Sequence, residues 1–420
     1  MLKKVLIIGY YLPPYPGIGG RRWVKFAKYL SKMNWEVHTL GCVNPTGRSS
    51  DWIHDFSGYN IEQHSLEYRY PKIFGGHINT FYERLSYKFF KTYYSLTNTK
   101  RLFDATFLSE SIFKYKVKRL LCEHDINNVI ISAPPHYYLS YLSDLRRELN
   151  FNYIVDFRDP WIGAVNFGLS ELSGQRLLKE KEYAVNVFRN ADHIISPSLI
   201  LLENLAESIQ ESYDKLKELK HAYDDDDFVN INTCGELPKD KIILVYGGAL
   251  YMDTEPVING LIEALDYYKK YEIDLYSRLN IRFFTPEYNK RSLFSSHGKV
   301  VSFSSPVGVK IFEKLSNCTF PIVLLAEHNR DYRTTKYYEY LLIRKPYLLL
   351  APKGVTSQYT QENGLGIWID SKKSFIKELR DVLMNIDRVY SEFNHKFDVQ
   401  THSYQVRTYE LEKLLIDKHL

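Results

Sequence analysis

Eleven short apolar runs recur along the chain, and most lack the alternation of apolar and polar residues that a half-exposed strand shows. In the first half they are Lys4–Gly9, Glu36–Cys42, Asn128–Ala133, Tyr153–Phe157 and His193–Ser196. In the second half they are Lys241–Tyr246, Asn280–Thr285, Lys299–Phe303, Pro321–Ala326, Pro346–Ala351 and Gly366–Ile369. A strand that is apolar on both sides must be buried on both faces, the condition of a parallel sheet covered by helices. Helical patterns lie between the runs. Trp23, Phe26, Ala27 and Leu30 repeat at i, i+3, i+4, i+7, which leaves Lys25, Lys28 and Lys32 for the other side. Ile258, Leu261, Ile262 and Leu265 repeat in the same way. Strand–helix alternation of this kind predicts an α/β chain with doubly wound parallel sheets.

A chain of 420 residues has room for two such sheets. The alternation restarts at Lys241 after a polar stretch, Ser212–Lys239, whose run Asp224–Asp227 reads as a solvated loop. The expected organisation is therefore two tandem Rossmann-like domains, residues 1–205 and 206–395, followed by a last segment, 396–420. That segment carries a helical pattern over Tyr404–Leu415, with Tyr404, Leu411, Leu414 and Leu415 on one side. Residues 81–121 break the alternation. They are rich in Phe, Tyr, Lys and Arg, as in Tyr87-Lys88-Phe89-Phe90-Lys91, and read as inserted helices.

Composition excludes several classes. No apolar run approaches the ~18–20 residues that cross a bilayer. Lys3-Lys4 followed by Val5-Leu6-Ile7-Ile8 is too short for a signal peptide and reads as the first strand. The net charge of +5 is spread over 55 basic and 50 acidic residues, so no nucleic-acid partner is expected. Cys42, Cys122, Cys234 and Cys318 are too scattered for a metal motif or a disulfide framework, and a reducing cytoplasm is the simplest compartment.

Five stretches carry chemistry. The first βα turn runs from Gly9 through Tyr11-Leu12-Pro13-Pro14 to Gly17-Ile18-Gly19-Gly20-Arg21-Arg22. It is too long for a dinucleotide fingerprint. Gly19 and Gly20 would let backbone approach a ligand, and Arg21 and Arg22 stand at a positive helix end, where a bound anion would offset their repulsion. Asp156-Phe157-Arg158-Asp159-Pro160-Trp161 closes a buried strand at its C-terminal end, where ligands bind in open α/β sheets. Two carboxylates around a guanidinium can orient a hydroxyl or pin the loop. Ser132-Ala133-Pro134-Pro135-His136 reaches the same edge, and His136 is a candidate substrate contact. Gly247 and Gly248 end a strand of the second half. Finally, Thr334 or Thr335 can cap a helix whose first turn holds Lys336, beside the place for a diphosphate, and Glu339 lies one turn on, suited to a ribose diol.

Taken in this order, these stretches resemble the GT-B glycosyltransferases, most closely the retaining, nucleotide-sugar-dependent, family 4-like group of bacterial surface polysaccharide synthesis. The resemblance covers approximately residues 3–390. It rests on Tyr11-Leu12-Pro13-Pro14 through Gly19-Gly20-Arg21, Asp156-Phe157-Arg158-Asp159-Pro160-Trp161, Tyr246-Gly247-Gly248, and Lys336-Tyr337-Tyr338-Glu339-Tyr340-Leu341 with Lys345-Pro346. It implies a donor site in the C-terminal domain, an acceptor site in the N-terminal domain, a reaction centre in the cleft between them, and a last helix that returns to the N-terminal domain. The family's paired glutamates, E-x7-E, correspond here to Asp331 and Glu339. Glu339 takes the ribose-binding place and Asp331 the place near the transferred sugar, with Glu327 as a substitute for it. A second departure is Ala249-Leu250-Tyr251-Met252, which stands where many relatives carry an Arg and a Lys for phosphate. Lys336, with Arg330 or Arg333, would then supply the charge.

The expected activity is that of a hexosyltransferase-class enzyme using a UDP- or GDP-sugar as co-substrate. The acceptor is a hydroxyl of a glycan or polyprenol-linked saccharide. The catalytic candidates are Asp331, Asp156, Asp159 and Arg158; the donor-binding candidates are Gly19, Gly20, Gly247, Gly248, Thr335, Lys336 and Glu339; the acceptor-binding candidates are Arg21, Arg22 and His136. No metal and no other cofactor is expected. The aromatic, basic segment 81–121 is a candidate for contact with an anionic membrane surface, which would make the protein peripheral on the inner face of the cytoplasmic membrane; a buried insertion is the competing reading. Two other functions stay open: a sugar-nucleotide epimerase, and a non-catalytic partner subunit of the same fold.

Overall fold

The computed structural model describes residues 3–15, 18–43, 53–75, 80–97, 100–102, 104–162, 174–229, 231, 240–250 and 252–416. Gly17, Cys234 and Tyr251, named above, lie outside them. The chain forms two compact units, Met1–Lys220 with Arg407–Leu420, and His221–Val406.

The first unit is built on a seven-stranded sheet: β1 (Lys3–Gly9), β2 (Trp35–Cys42), β3 (Ile61–Leu66), β4 (Asn128–Ala133), β5 (Asn152–Phe157), β6 (His193–Ser196) and β7 (Leu216–Glu218). The strand order is β3-β2-β1-β4-β5-β6-β7, and every pairing is parallel. The apolar runs predict five of these strands. The two others, β3 and β7, are the edges of the sheet, and each has a single buried residue. An edge strand can face water and so need not be apolar, which hides it from a search for hydrophobic runs. β7 pairs with β6 and carries the first unit past residue 205, the expected boundary, to Lys220.

The helix Arg21–Lys32 differs from its expected two-sided pattern. Its residues from Arg21 to Leu30 are all buried, Lys25 and Lys28 included. Lys25 is tied to Asp55 at 2.9 Å, and the ammonium groups of Lys28 and Lys32 lie over the Tyr29 ring at 5.5 and 4.6 Å. Ion pairing and cation–π contact thus let lysines sit on a covered face.

The last helix, Tyr404–Ile416, returns to the first unit, as the resemblance implies. Leu411 and Leu415 are buried, and a Glu412 carboxylate oxygen accepts hydrogen bonds from Lys3 Nζ and Trp35 Nε1, each at 2.9 Å. Asn152 Nδ2 donates to the Leu414 carbonyl at 3.1 Å.

The second unit holds β8 (Ile242–Gly247), β9 (Leu279–Phe284), β10 (Val301–Ser304), β11 (Phe320–Leu324), β12 (Tyr347–Ala351) and β13 (Gly366–Asp370), in the order β10-β9-β8-β11-β12-β13. Its strands feed two separate apolar cores. Leu244, Tyr246, Ile322, Leu324, Leu348 and Leu350 enter one, and Val245, Val323, Leu349 and Ala351 enter the other. Period-two geometry sends successive residues to opposite faces, and both faces are covered, so these strands read as unbroken apolar runs. The acidic run Asp224–Asp227 is not simply a solvated loop. Asp224 is buried, and its side chain accepts from the Asp226 N–H at 3.1 Å, capping a 3-10 turn that buries Phe228.

Leu411→Ala should destabilise the protein by about 2–5 kcal/mol, because it empties a site closed by the first unit. Glu412→Gln should cost less than about 1.5 kcal/mol, since the amide oxygen can still accept from Trp35. Urea denaturation of the full chain measures both; equal effects would contradict the packing role of this helix.

Candidate active site

In each unit the strand order reverses direction once, between β1 and β4 in the first and between β8 and β11 in the second. Loops leaving the two central strands part there, and this is where open α/β sheets bind ligands. Of the predicted site residues, Gly19, Gly20 and Arg158 line the first place, and Gly247, Gly248 and Lys336 lie at the second.

At the reversal of the first sheet lies a shallow, open recess bounded by Tyr10, Tyr11, Gly19, Gly20, Ser132 and Arg158, with Trp23 and Pro134. The glycines serve the loop's own packing. A Cβ on Gly20 would stand 2.2 Å from the Tyr11 carbonyl oxygen, and one on Gly19 would stand 3.2 Å from Tyr11 and from Arg158. Arg158 donates from one NH group to the Gly19 carbonyl, bonds Asp159 through Nε at 3.2 Å, and lies over the Tyr11 ring at 5.8 Å. Burial pushes the Tyr11 phenol up to about 12 even though Arg158 acts in the opposite sense, so it remains a hydrogen-bond donor at neutral pH.

Asp156 is fully buried. Its Oδ2 accepts from Trp23 Nε1 at 2.6 Å and from Ser132 Oγ at 2.8 Å, and its Oδ1 lies 3.6 Å from Arg22 Nε. Arg22 is itself buried and donates to the carbonyls of Leu219 (2.5 Å) and Lys220 (3.1 Å). These two predicted site residues hold β5, the first helix and the end of the unit together. Arg21 is buried as well. Both arginines predicted at the helix start are therefore covered, and Arg22 is engaged by backbone carbonyls and Asp156. Asp159 keeps a side chain 38% exposed, and it is the carboxylate of this stretch with access to a ligand.

His136 is also buried, stacked on Trp161 with ring centres 5.2 Å apart. Burial, aided by nearby Arg101, holds its pKa well below the usual value, so it is neutral at physiological pH. Beneath it lies a polar cluster that sequence reading missed. Glu180 accepts from Tyr137 Oη (2.5 Å) and Trp161 Nε1 (2.8 Å) and pairs with Arg101 at 3.1 Å. Asp104 accepts the His136 N–H at 2.7 Å. The bonded partners lie 19 to 79 positions apart in sequence, from Trp161–Glu180 to Arg101–Glu180, and no local pattern joins them.

At the reversal of the second sheet, β8 ends in Gly247, and Gly248 follows with φ +136°, a conformation reserved for glycine. Lys336 comes from the first turn of the helix Thr335–Leu342 and reaches across to this turn. Its ammonium donates to Tyr246 Oη at 3.0 Å, lies 4.5 Å over that ring, and would meet a Cβ on Gly248 at 2.0 Å. Among the described residues Lys336 forms no ion pair. Gly247 has a packing role, since a Cβ there would press on Ile311 at 2.7 Å. The Gly248 N–H is bonded to the Phe284 carbonyl at 2.9 Å.

The helix Thr335–Leu342 begins after Thr334, which is extended and whose side chain makes no capping bond. Thr335 Oγ1 lies 3.4 Å from His221 Nδ1, and Glu339 is buried. Asp331 differs from its expected place. Its Oδ1 accepts from the Val355 N–H at 2.9 Å, which caps the helix Val355–Glu362, and its Oδ2 lies 3.4 Å from Arg330 Nε. Arg330 also pairs with Glu327 at 2.5 Å, and Arg333 covers the Tyr359 ring at 4.5 Å. Both arginines are thus engaged elsewhere, and Lys336 carries the charge of this turn. The turn after β8 is packed inward: Leu250 is buried and its N–H donates to Glu287 at 2.8 Å.

No family model matches the chain, and no curated protein matches it. Solved structures do. The sucrose-phosphate synthase of Thermosynechococcus elongatus superposes with a TM-score of 0.64 at 10% identity, over 98% of each chain. A glycosyltransferase from Rickettsia africae gives 0.63 at 11% identity, over 99% of each. The fold is GT-B. The same two-domain architecture relates the chain, more distantly, to the UDP-GlcNAc 2-epimerase of Methanocaldococcus jannaschii, at a TM-score of 0.51 and 12% identity over 98% of this chain and 99% of that one.

Asp156→Ala should destabilise the protein by about 3–5 kcal/mol, because it strands a buried guanidinium and an indole N–H. Asp159→Ala should change stability by less than about 1 kcal/mol. Denaturant melts of the two variants distinguish the structural from the accessible carboxylate, and the reverse ranking would overturn the assignment.

Proposed function

We propose that the chain is a glycosyltransferase that moves a sugar from a UDP- or GDP-linked donor to a hydroxyl of a glycan or polyprenol-linked saccharide, with retention. The observation that carries this reading is the Lys336 ammonium above Gly248, at the reversal of the second sheet, which forms no ion pair among the described residues. A cation that donates to a phenol oxygen over a bare backbone turn suits a diphosphate, which brings negative charge to it. The first N–H groups of the helix Thr335–Leu342 add to the same field. Glu339 is assigned to the ribose hydroxyls. Of the structural neighbours named above, one is a glycosyltransferase, one a sucrose-phosphate synthase and one a UDP-GlcNAc 2-epimerase.

In this reaction the bond from the anomeric carbon to the diphosphate oxygen breaks and a bond to the acceptor oxygen forms. The acceptor proton passes to a diphosphate oxygen on the departing side. Lys336 stabilises the charge that develops on the diphosphate. The acceptor is assigned to the recess of the first unit, where Asp159 and Arg158 orient its hydroxyl. Asp156 and Asp331 act as scaffold, given their bonds to Trp23 and Ser132 and to Val355.

Membrane contact belongs to the same proposal. The helix Phe81–Thr97 has no buried residue. Phe81, Tyr82, Leu85, Phe89, Tyr93 and Leu96 are exposed, and at 100° per residue they share an arc of about 120°. Arg84, Lys88 and Lys91 flank that arc, the pattern of a helix lying in an anionic interface.

Calorimetry with UDP, GDP and their sugars should show binding that Lys336→Ala weakens by about 10–100-fold; undiminished affinity would remove the donor site from this turn. Incubation with the donor alone separates the second reading, since an epimerase converts the sugar without an acceptor and a transferase does not. Vesicles rich in anionic lipid should retain the protein at low salt, and Phe89→Glu with Tyr93→Glu should release it. Equal retention of this double variant would refute the membrane face.

A further inference from the structure

The first unit carries a second cluster of titratable groups, on the edge of its sheet, which the proposed transfer does not use. His38 stands on β2, and Glu62 and His64 stand two residues apart on β3. The parallel register pairs His38 with Glu62, so all three side chains share one face. His124 is the last residue of the helix Glu110–His124 and completes the group.

The four residues each offer one ligand atom, and these atoms lie within 4.8 Å of one another. His38 Nδ1 is 3.1 Å from His64 Nε2 and 3.6 Å from Glu62 Oε2. His64 Nε2 is 3.6 Å from Glu62 Oε1, and His124 Nδ1 is 3.9 Å from Glu62 Oε2. A tetrahedral ion with bonds of ~2.0–2.1 Å separates its ligand atoms by about 3.3–3.4 Å. The observed spacings bracket that value.

The surroundings fit the same chemistry. His38 bonds Glu36 through its other nitrogen, Nε2, at 3.0 Å. An N–H donated there leaves the lone pair on Nδ1, which faces the cluster; this is the carboxylate–histidine pairing found behind metal-bound imidazoles. Lys4 lies 3.4 Å from Glu36 and donates to the His124 carbonyl at 2.8 Å, fixing both from behind. The negative end of the helix Glu110–His124 points its last residue at the group, which favours a cation.

We propose that His38 Nδ1, Glu62, His64 Nε2 and His124 Nδ1 form a tetrahedral Zn2+ site that fastens the edge strand β3 and the helix Glu110–His124 to β2. Four protein ligands close the coordination sphere, so the site is structural. It leaves the transfer chemistry to the residues described above.

The test uses the full chain without a polyhistidine tag, stripped with a chelator and titrated with Zn2+ against a chromophoric competitor. One Zn2+ per chain is expected, with a Kd tighter than about 1 μM. Co2+ in its place should give the intense visible bands of a tetrahedral site. Glu36→Gln should weaken Zn2+ binding by about 10–100-fold, and His64→Ala by more. His395→Ala, on an exposed residue of the other unit, should leave it unchanged. A stoichiometry near zero, or the weak spectrum of octahedral Co2+, overturns the proposal. So does His64→Ala binding as tightly as the unmodified chain. The cobalt spectrum of the unmodified chain decides the matter even where a histidine variant does not fold.

Discussion

In a parallel sheet every strand is entered from the same end, so each connection has to climb back along a face of the sheet. That constraint governs both units. It demands strands apolar on both sides, helices that cover both faces, and one reversal of strand order where loops separate. The two reversals, between β1 and β4 and between β8 and β11, are therefore where the backbone is free to meet a ligand. The Tyr11–Gly20 loop with Arg158 occupies the first, and Gly248 with Lys336 the second.

The two places are built differently. In the first, charges are mostly spent on holding the unit together: Asp156 with Arg22, and Glu180 with Arg101, are buried pairs whose removal leaves a charge stranded. What remains accessible is Asp159 and the rim of the recess. In the second, Arg330 and Asp331 are bound up in capping and pairing, Arg333 covers an aromatic ring, and the charge at the turn rests on Lys336. After β8, where the resemblance leads one to expect an Arg and a Lys, Leu250 is buried and its N–H is bonded to Glu287.

Much of this was legible in the residues. Runs such as Val5–Ile8 or Leu348–Leu350 announce strands covered on both faces, and the order of the glycine turns and the Lys336–Glu339 segment announces the fold. The two edge strands of the first sheet were not legible, because residues such as Glu62, Gln63 and His64 look like loop when one side faces water. Nor were the roles of charged residues. Asp156, Arg22 and Asp331 sit in the positions that motifs mark, yet their burial and partners depend on Trp23, Leu219 and Val355, far away in sequence. The His38–His124 group shows the same limit, since its members come from two strands and a helix end.

The central claim is that the turn under Lys336 holds the diphosphate of an activated sugar. A crystal structure of the full chain grown with UDP-glucose or GDP-mannose tests it most directly. The account predicts phosphate oxygens within hydrogen-bond distance of Lys336 Nζ and of the first N–H groups of the helix Thr335–Leu342, with the ribose diol on Glu339. A nucleotide bound elsewhere while Lys336 still rests on Tyr246 would contradict it.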